Sequence, residues 1–168
     1  LGLTLLYTLP FFPNKQNARN WKGIKIYIVS ITWVGVTVLL PLLEAKISFS
    51  VDVLLMAIQR FLLVFSLILV FEIVDVKLDD PHLQTVPQKI GVEQTKKLGY
   101  LLLFLLLALE LFYTNHHHFL PFFFKLLVCV AIAFFLYFAN ENRSRYYASL
   151  WVESVPIFWW LVLIIFEK

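Results

Sequence analysis

The chain has 168 residues, of which 61% are hydrophobic and only 15% charged, with a mean hydropathy of +0.82 and a formal net charge of +3. Soluble domains are nearer half apolar and a quarter charged, so lipid is the expected solvent for much of this surface. The small charge excess, carried by short connections, excludes generic nucleic-acid binding, and the single cysteine, Cys129, excludes an intrachain disulfide.

The apolar stretch Leu1 to Leu9 lacks the charged flank and small-residue cleavage pattern of a signal peptide and is expected to end a helix begun earlier. Five helices follow, near 24–43, 51–73, 98–113, 119–139 and 149–166, as an all-α transmembrane bundle in one domain. At 1.5 Å of rise per residue, roughly 20 residues cross about 30 Å of hydrocarbon. The third helix is short for this. It is completed by extending back toward Lys96, whose side chain and that of Lys97 can reach the headgroups.

Basic residues recur in alternate connections: Lys15, Arg19 and Lys22, then Lys77, Lys89, Lys96 and Lys97, then Arg143 and Arg145. The positive-inside rule assigns these connections to the cytoplasm and the C-terminus, with Lys168, to the opposite side. Trp21, Tyr27, Trp33, Trp151, Trp159 and Trp160 are candidate interface anchors. Arg60 lies well inside the second helix and must face the bundle, a cavity or a partner, with Gln59 beside it and Glu110 as a candidate ion-pair partner. The triplet His116, His117 and His118 does not specify a zinc site. Adjacent residues do not share a helix face, and no acidic ligand lies nearby.

The segment from Glu72 to Gly91 interrupts this apolar pattern with Glu72, Asp75, Asp79 and Asp80 at the end of a span. If helical winding continues past Ile73, Asp75 and Asp79 share a face, and Glu72 can join them. Such a cluster needs a cation or water to compensate it, and hard oxygen ligands suit magnesium shared with substrate phosphates. A hydrated acidic loop is the alternative. Pro81 stops the helix, so Asp80 is expected to point elsewhere. On the same side, Lys15 and Arg19 could pair with diphosphate oxygens, or serve only as the positive-inside signal.

These residues carry a family resemblance. The acidic stretch resembles the second aspartate-rich motif of the UbiA prenyltransferase superfamily: Asp75 and Asp79 match its spaced pair, and Thr85, Pro87 and Gly91 resemble the residues that trail it. Tyr7-Thr8-Leu9-Pro10 followed by Lys15 resembles the preceding cytoplasmic loop of that family. The chain departs from the pattern at Val74, where the family often has Arg, and at Leu83, where it usually has Gly; the spacing from Asp79 to Thr85 is also one residue shorter.

The resemblance implies the C-terminal part of a UbiA-like fold, with further spans and a first aspartate-rich motif before Leu1. It also implies magnesium as cofactor, held by Asp75 and Asp79 with Asp80 and Glu72 in reserve. Lys15 and Arg19 would bind diphosphate, and Tyr7 would lie near the reacting end. The partners would be an isoprenyl diphosphate, a lipophilic acceptor and membrane lipid, in a bacterial inner membrane with the acidic loop cytoplasmic. The piece alone is expected to be inactive. A noncatalytic scaffold or prenyl-lipid-binding relative is the alternative role.

Overall fold

The computed structural model describes residues 23–113, 119–144 and 146–166. Tyr7, Lys15, Arg19, Lys22, Trp21, the triplet His116 to His118, Arg145 and Lys168 lie outside them, as does the stretch Leu1 to Leu9. Among the described residues the regular structure is entirely helical, with no strand.

Helix α1 runs Lys25–Glu44 and α2 runs Val51–Asp75. A short helix α3, Val86–Ile90, precedes α4, Val92–Tyr113. Helix α5, Phe119–Phe138, is followed by a π-helical stretch Tyr147–Val152 and then α6, Ser154–Phe166. Thus α4 begins at Val92 rather than near residue 98, and the last helix changes winding at Glu153.

Local chemistry accounts for these boundaries. Ser50 caps α2, its hydroxyl accepting the N–H of Val53, and Asp52 lies in the first turn where a negative charge suits the helix dipole. In α1, Pro41 has no N–H to give the preceding turn, and its ring crowds the carbonyl one turn back. The helix widens upstream into the π-helical stretch Gly35–Leu39, closed by Leu40 N–H donating to the Gly35 carbonyl. The hydroxyls of Ser30, Thr32 and Thr37 donate to the carbonyls of Ile26, Ile28 and Trp33 at 2.8, 2.7 and 2.7 Å, so α1 satisfies its own polar groups.

Successive long helices run antiparallel, with α2 at the centre against α1, α4 and α5. The shared core holds Leu69, Val70 and Ile73 of α2 with Leu106, Ile132 and Leu136. Helices α4 and α5 approach closely at Gly99, where an added Cβ would lie 2.6 Å from Leu136 Cδ1. The outward faces are apolar too: Leu40, Phe104, Leu111 and Phe134 are all more than half exposed. Among the described residues two helices, Lys25–Glu44 and Val51–Asp75, are long and apolar enough to cross a membrane; Phe122–Phe138 is a shorter apolar helix.

Candidate acidic site at one end of the bundle

Antiparallel packing gathers the end of α2, helix α3, the starts of α1 and α4 and the end of α5 at one pole of the molecule. Asp75 is the last residue of α2, and its carbonyl accepts the N–H groups of Leu78 at 2.8 Å and Asp79 at 2.9 Å. The second of these bonds continues helical winding for one turn. Asp79 therefore follows Asp75 at the spacing that puts two side chains on one face. Asp75 Oδ1 is shielded from solvent, whereas Asp79 lines an open cleft of about 580 Å³ with Lys77, Gln84, Gln88 and Lys89.

The other two carboxylates have structural work. Glu72 is only 5% exposed, and its Oε2 accepts the N–H of Val86 at 2.9 Å. It thereby holds the first turn of α3, whose N–H groups have no partner within the helix. Lys25 attracts and Asp79 repels its charge. Asp80 Oδ1 accepts the N–H of His82 at 2.9 Å and caps the 3-10 turn Pro81–Leu83.

The segment between these carboxylates and α4 is anchored by Gln88. Its Oε1 accepts the Thr85 N–H at 3.0 Å, and its Nε2 donates to the carbonyls of Asp79 at 3.2 Å and Asp80 at 3.4 Å. Gly23 N–H donates to the Leu83 carbonyl at 2.8 Å, binding the start of α1 to the same loop. Gly23 has φ of +70°, and a Cβ there would lie 3.2 Å from the Gln84 carbonyl oxygen, so glycine suits both the turn and the close approach.

Basic side chains brace this pole. Lys77 pairs with Glu141 at 3.1 Å and donates to Asn142 Oδ1 at 2.7 Å, joining the acidic loop to the turn after α5. Lys96 donates to the Tyr137 carbonyl at 2.9 Å and Arg143 to that of Phe138 at 3.2 Å, covering carbonyls at the C-terminal end of α5. Arg143 also lies 5.4 Å from the centre of the Tyr147 ring.

For a metal the two carboxylates are hard donors one helical turn apart, and they would supply only part of a shell. Among the described residues no three His, Cys, Asp or Glu side chains converge on one point. An ion on Asp75 and Asp79 would complete its shell with water, phosphate oxygens or ligands from elsewhere, as magnesium commonly does. Lys15, Arg19 and Tyr7 lie outside the described residues.

A second polar cluster sits toward the opposite pole. Arg60 lines a cavity there, as its depth in the helix requires. Beside it, Glu110 forms an ion pair with Lys125. Gln59 donates to the same Glu110 oxygen at 2.7 Å and accepts from Lys125 at 3.3 Å. Lys125 drew no attention in the sequence because it lies within an apolar run; the available signal was a charge in the middle of a phenylalanine-rich helix.

No protein-family model, no curated protein and no solved structure matches this chain.

Proposed function

We propose that the chain is the C-terminal part of a UbiA-type intramembrane prenyltransferase, its long helices crossing a bacterial inner membrane with the acidic pole in the cytoplasm. The parent protein would transfer an isoprenyl group from its diphosphate to an aromatic or other lipophilic acceptor. The observation that carries this reading is the placement of Asp75 and Asp79 one helical turn apart, at the polar end of a bundle with apolar flanks. Lys25, Lys77, Lys89, Lys96, Lys97 and Arg143 gather at that pole, which supports the orientation.

Asp75 and Asp79 would hold magnesium, with Glu72 and Asp80 serving the loop that carries them. Bound there, magnesium would supply positive charge to a diphosphate. Lys77 and Lys89 at the cleft raise the local concentration of anions, and Lys15 and Arg19 would add donors to the diphosphate oxygens. Tyr7 would stand near the reacting carbon. In the transfer the allylic carbon–oxygen bond breaks, diphosphate departs with the electron pair, and the acceptor carbon bonds to the allylic carbon and then loses a proton. The opposing acidic motif would come from the part of the parent preceding Leu1.

A noncatalytic prenyl-lipid-binding role is the second reading. An apolar groove of about 210 Å³ between α5 and α6, lined by Phe124, Val128, Phe135, Val155 and Phe158, favours it, because a hydrocarbon chain could lie there without the carboxylates. Binding of farnesyl diphosphate to the full-length protein in nanodiscs separates the two. The enzyme reading expects magnesium to strengthen binding and Asp75→Asn or Asp79→Asn to weaken it by about tenfold or more, about 1.4 kcal/mol. Tight binding indifferent to magnesium and to both substitutions would establish the second reading instead.

A further inference from the structure

From the cluster around Arg60 we infer a second ligand site, remote from the acidic pole, that takes the phosphate group of an anionic amphiphile. This inference depends on the bundle lying in a membrane and is independent of prenyl transfer. The cavity there has a volume of about 150 Å³ and is lined by Met56, Gln59, Arg60, Leu63, Leu106 and Lys125. By helical rise, Gln59 lies about 12 Å from the start of α2 and Lys125 about 9 Å from the start of α5, a depth that a headgroup reaches from the membrane surface.

The lining is chemically asymmetric. Two of its six side chains, Arg60 and Lys125, are cations, and a carboxylate outside the lining bonds both Gln59 and Lys125. That carboxylate, Glu110, is 3% exposed and receives both Gln59 and Lys125 on a single oxygen, Oε2. The ammonium of Lys125 has three donors, two of them directed at Glu110 and Gln59, and its side chain remains 26% exposed. A phosphate entering the cavity would meet the positive charges of this ammonium and of Arg60, both of which suit phosphate oxygens.

Size and lining limit the ligand. A water occupies about 30 Å³ of liquid, so the space admits a phosphate and the first carbons of a chain rather than a diphosphate with its prenyl tail. Met56, Leu63 and Leu106 supply the apolar wall against which those carbons would pack. Glu110 opposes such a ligand by its charge while orienting Lys125.

This arrangement predicts a sign that a purely structural ion pair would not give: neutralising Glu110 should strengthen binding. The full chain is reconstituted in nanodiscs of phosphatidylcholine doped with phosphatidic acid, and retained lipid is read by native mass spectrometry. Wild type should retain phosphatidic acid in preference to phosphatidylcholine. Glu110→Gln should raise that preference about tenfold, and Lys125→Met added to it should remove the gain, on a scale where tenfold is one decade of affinity. Lys125→Arg, which keeps the charge, should retain the preference and serves as the measure if Glu110→Gln does not fold. Competition with inorganic phosphate distinguishes the sources: displacement of the lipid assigns the site to a soluble anion, and persistence assigns it to the headgroup. Equal retention of the two lipids by wild type, or a lower preference in folded Glu110→Gln, would overturn the inference.

Discussion

Replacing Gly99 by alanine tests the packing that aligns α4 with α5. The new Cβ would stand 2.6 Å from Leu136 Cδ1, 3.1 Å from Cδ2 and 3.5 Å from Cγ, whereas relaxed carbon contacts lie at about 3.5–4.0 Å. Leu136 is fully buried and has little room to retreat. Overpacking of this kind costs about 1–3 kcal/mol, and the better helix propensity of alanine returns about 1 kcal/mol, so a net loss of about 1 kcal/mol is expected. Leu136→Ala alone should cost about 2–5 kcal/mol through the cavity it leaves.

In the double variant the alanine methyl at position 99 enters the space vacated by the leucine. The double loss should therefore fall short of the two single losses added together by about 1 kcal/mol or more. Equilibrium unfolding in bicelles by titrated sodium dodecyl sulfate, followed by tryptophan fluorescence, measures all four corners of the cycle. Additivity to within about 0.5 kcal/mol would refute the proposed contact.

Glu72→Ala leaves the half-buried Val86 N–H without its carboxylate acceptor and should cost about 1–3 kcal/mol. Amide exchange at Val86 should accelerate with it; an unchanged rate would mean that Glu72 does not hold α3. Tyr147 donates from its hydroxyl to the Phe135 carbonyl at 2.8 Å, so Tyr147→Phe should cost about 0.5–1.5 kcal/mol near neutral pH. Burial pushes the Tyr147 phenol above its ordinary value of 10.0, against the smaller opposing pull of Arg143. Its contribution is thus fully present below pH 10.0 and lost as pH rises through the raised folded value. The stability gap between wild type and Tyr147→Phe should narrow in alkaline solution, and a constant gap would contradict the assignment.

The apolar runs were sufficient to locate the long helices because hydrocarbon-rich sequence and helical backbone satisfaction go together. The acidic pair was legible as well, since its spacing is a property of local winding. What escaped was non-local or masked by charge. Glu93, Lys96 and Lys97 dilute the apolar signal at the start of α4, yet the backbone turns into the helix immediately after Gly91, with its φ of +82°. Helix α3 could have been anticipated from Thr85 followed three residues later by Gln88, the pattern that begins many helices. The contact of Glu110 with Lys125 and Gln59 depended on the packing of α4 against α5 and α2, which no local pattern in the sequence displays.

The loop bearing Asp79 is secured very differently along its two margins. On the inner side the buried Glu72 carboxylate grips Val86, a bond that water and salt reach poorly. On the outer side its link to the turn after α5 is Lys77 with Glu141 and Asn142, all in solvent, and surface pairs of this kind are worth about 0–1 kcal/mol. Ionic strength therefore acts on one margin and spares the other. The cleft between Lys77 and Lys89 is thus held like a page bound along its spine, with salt weakening only the contacts of its free edge.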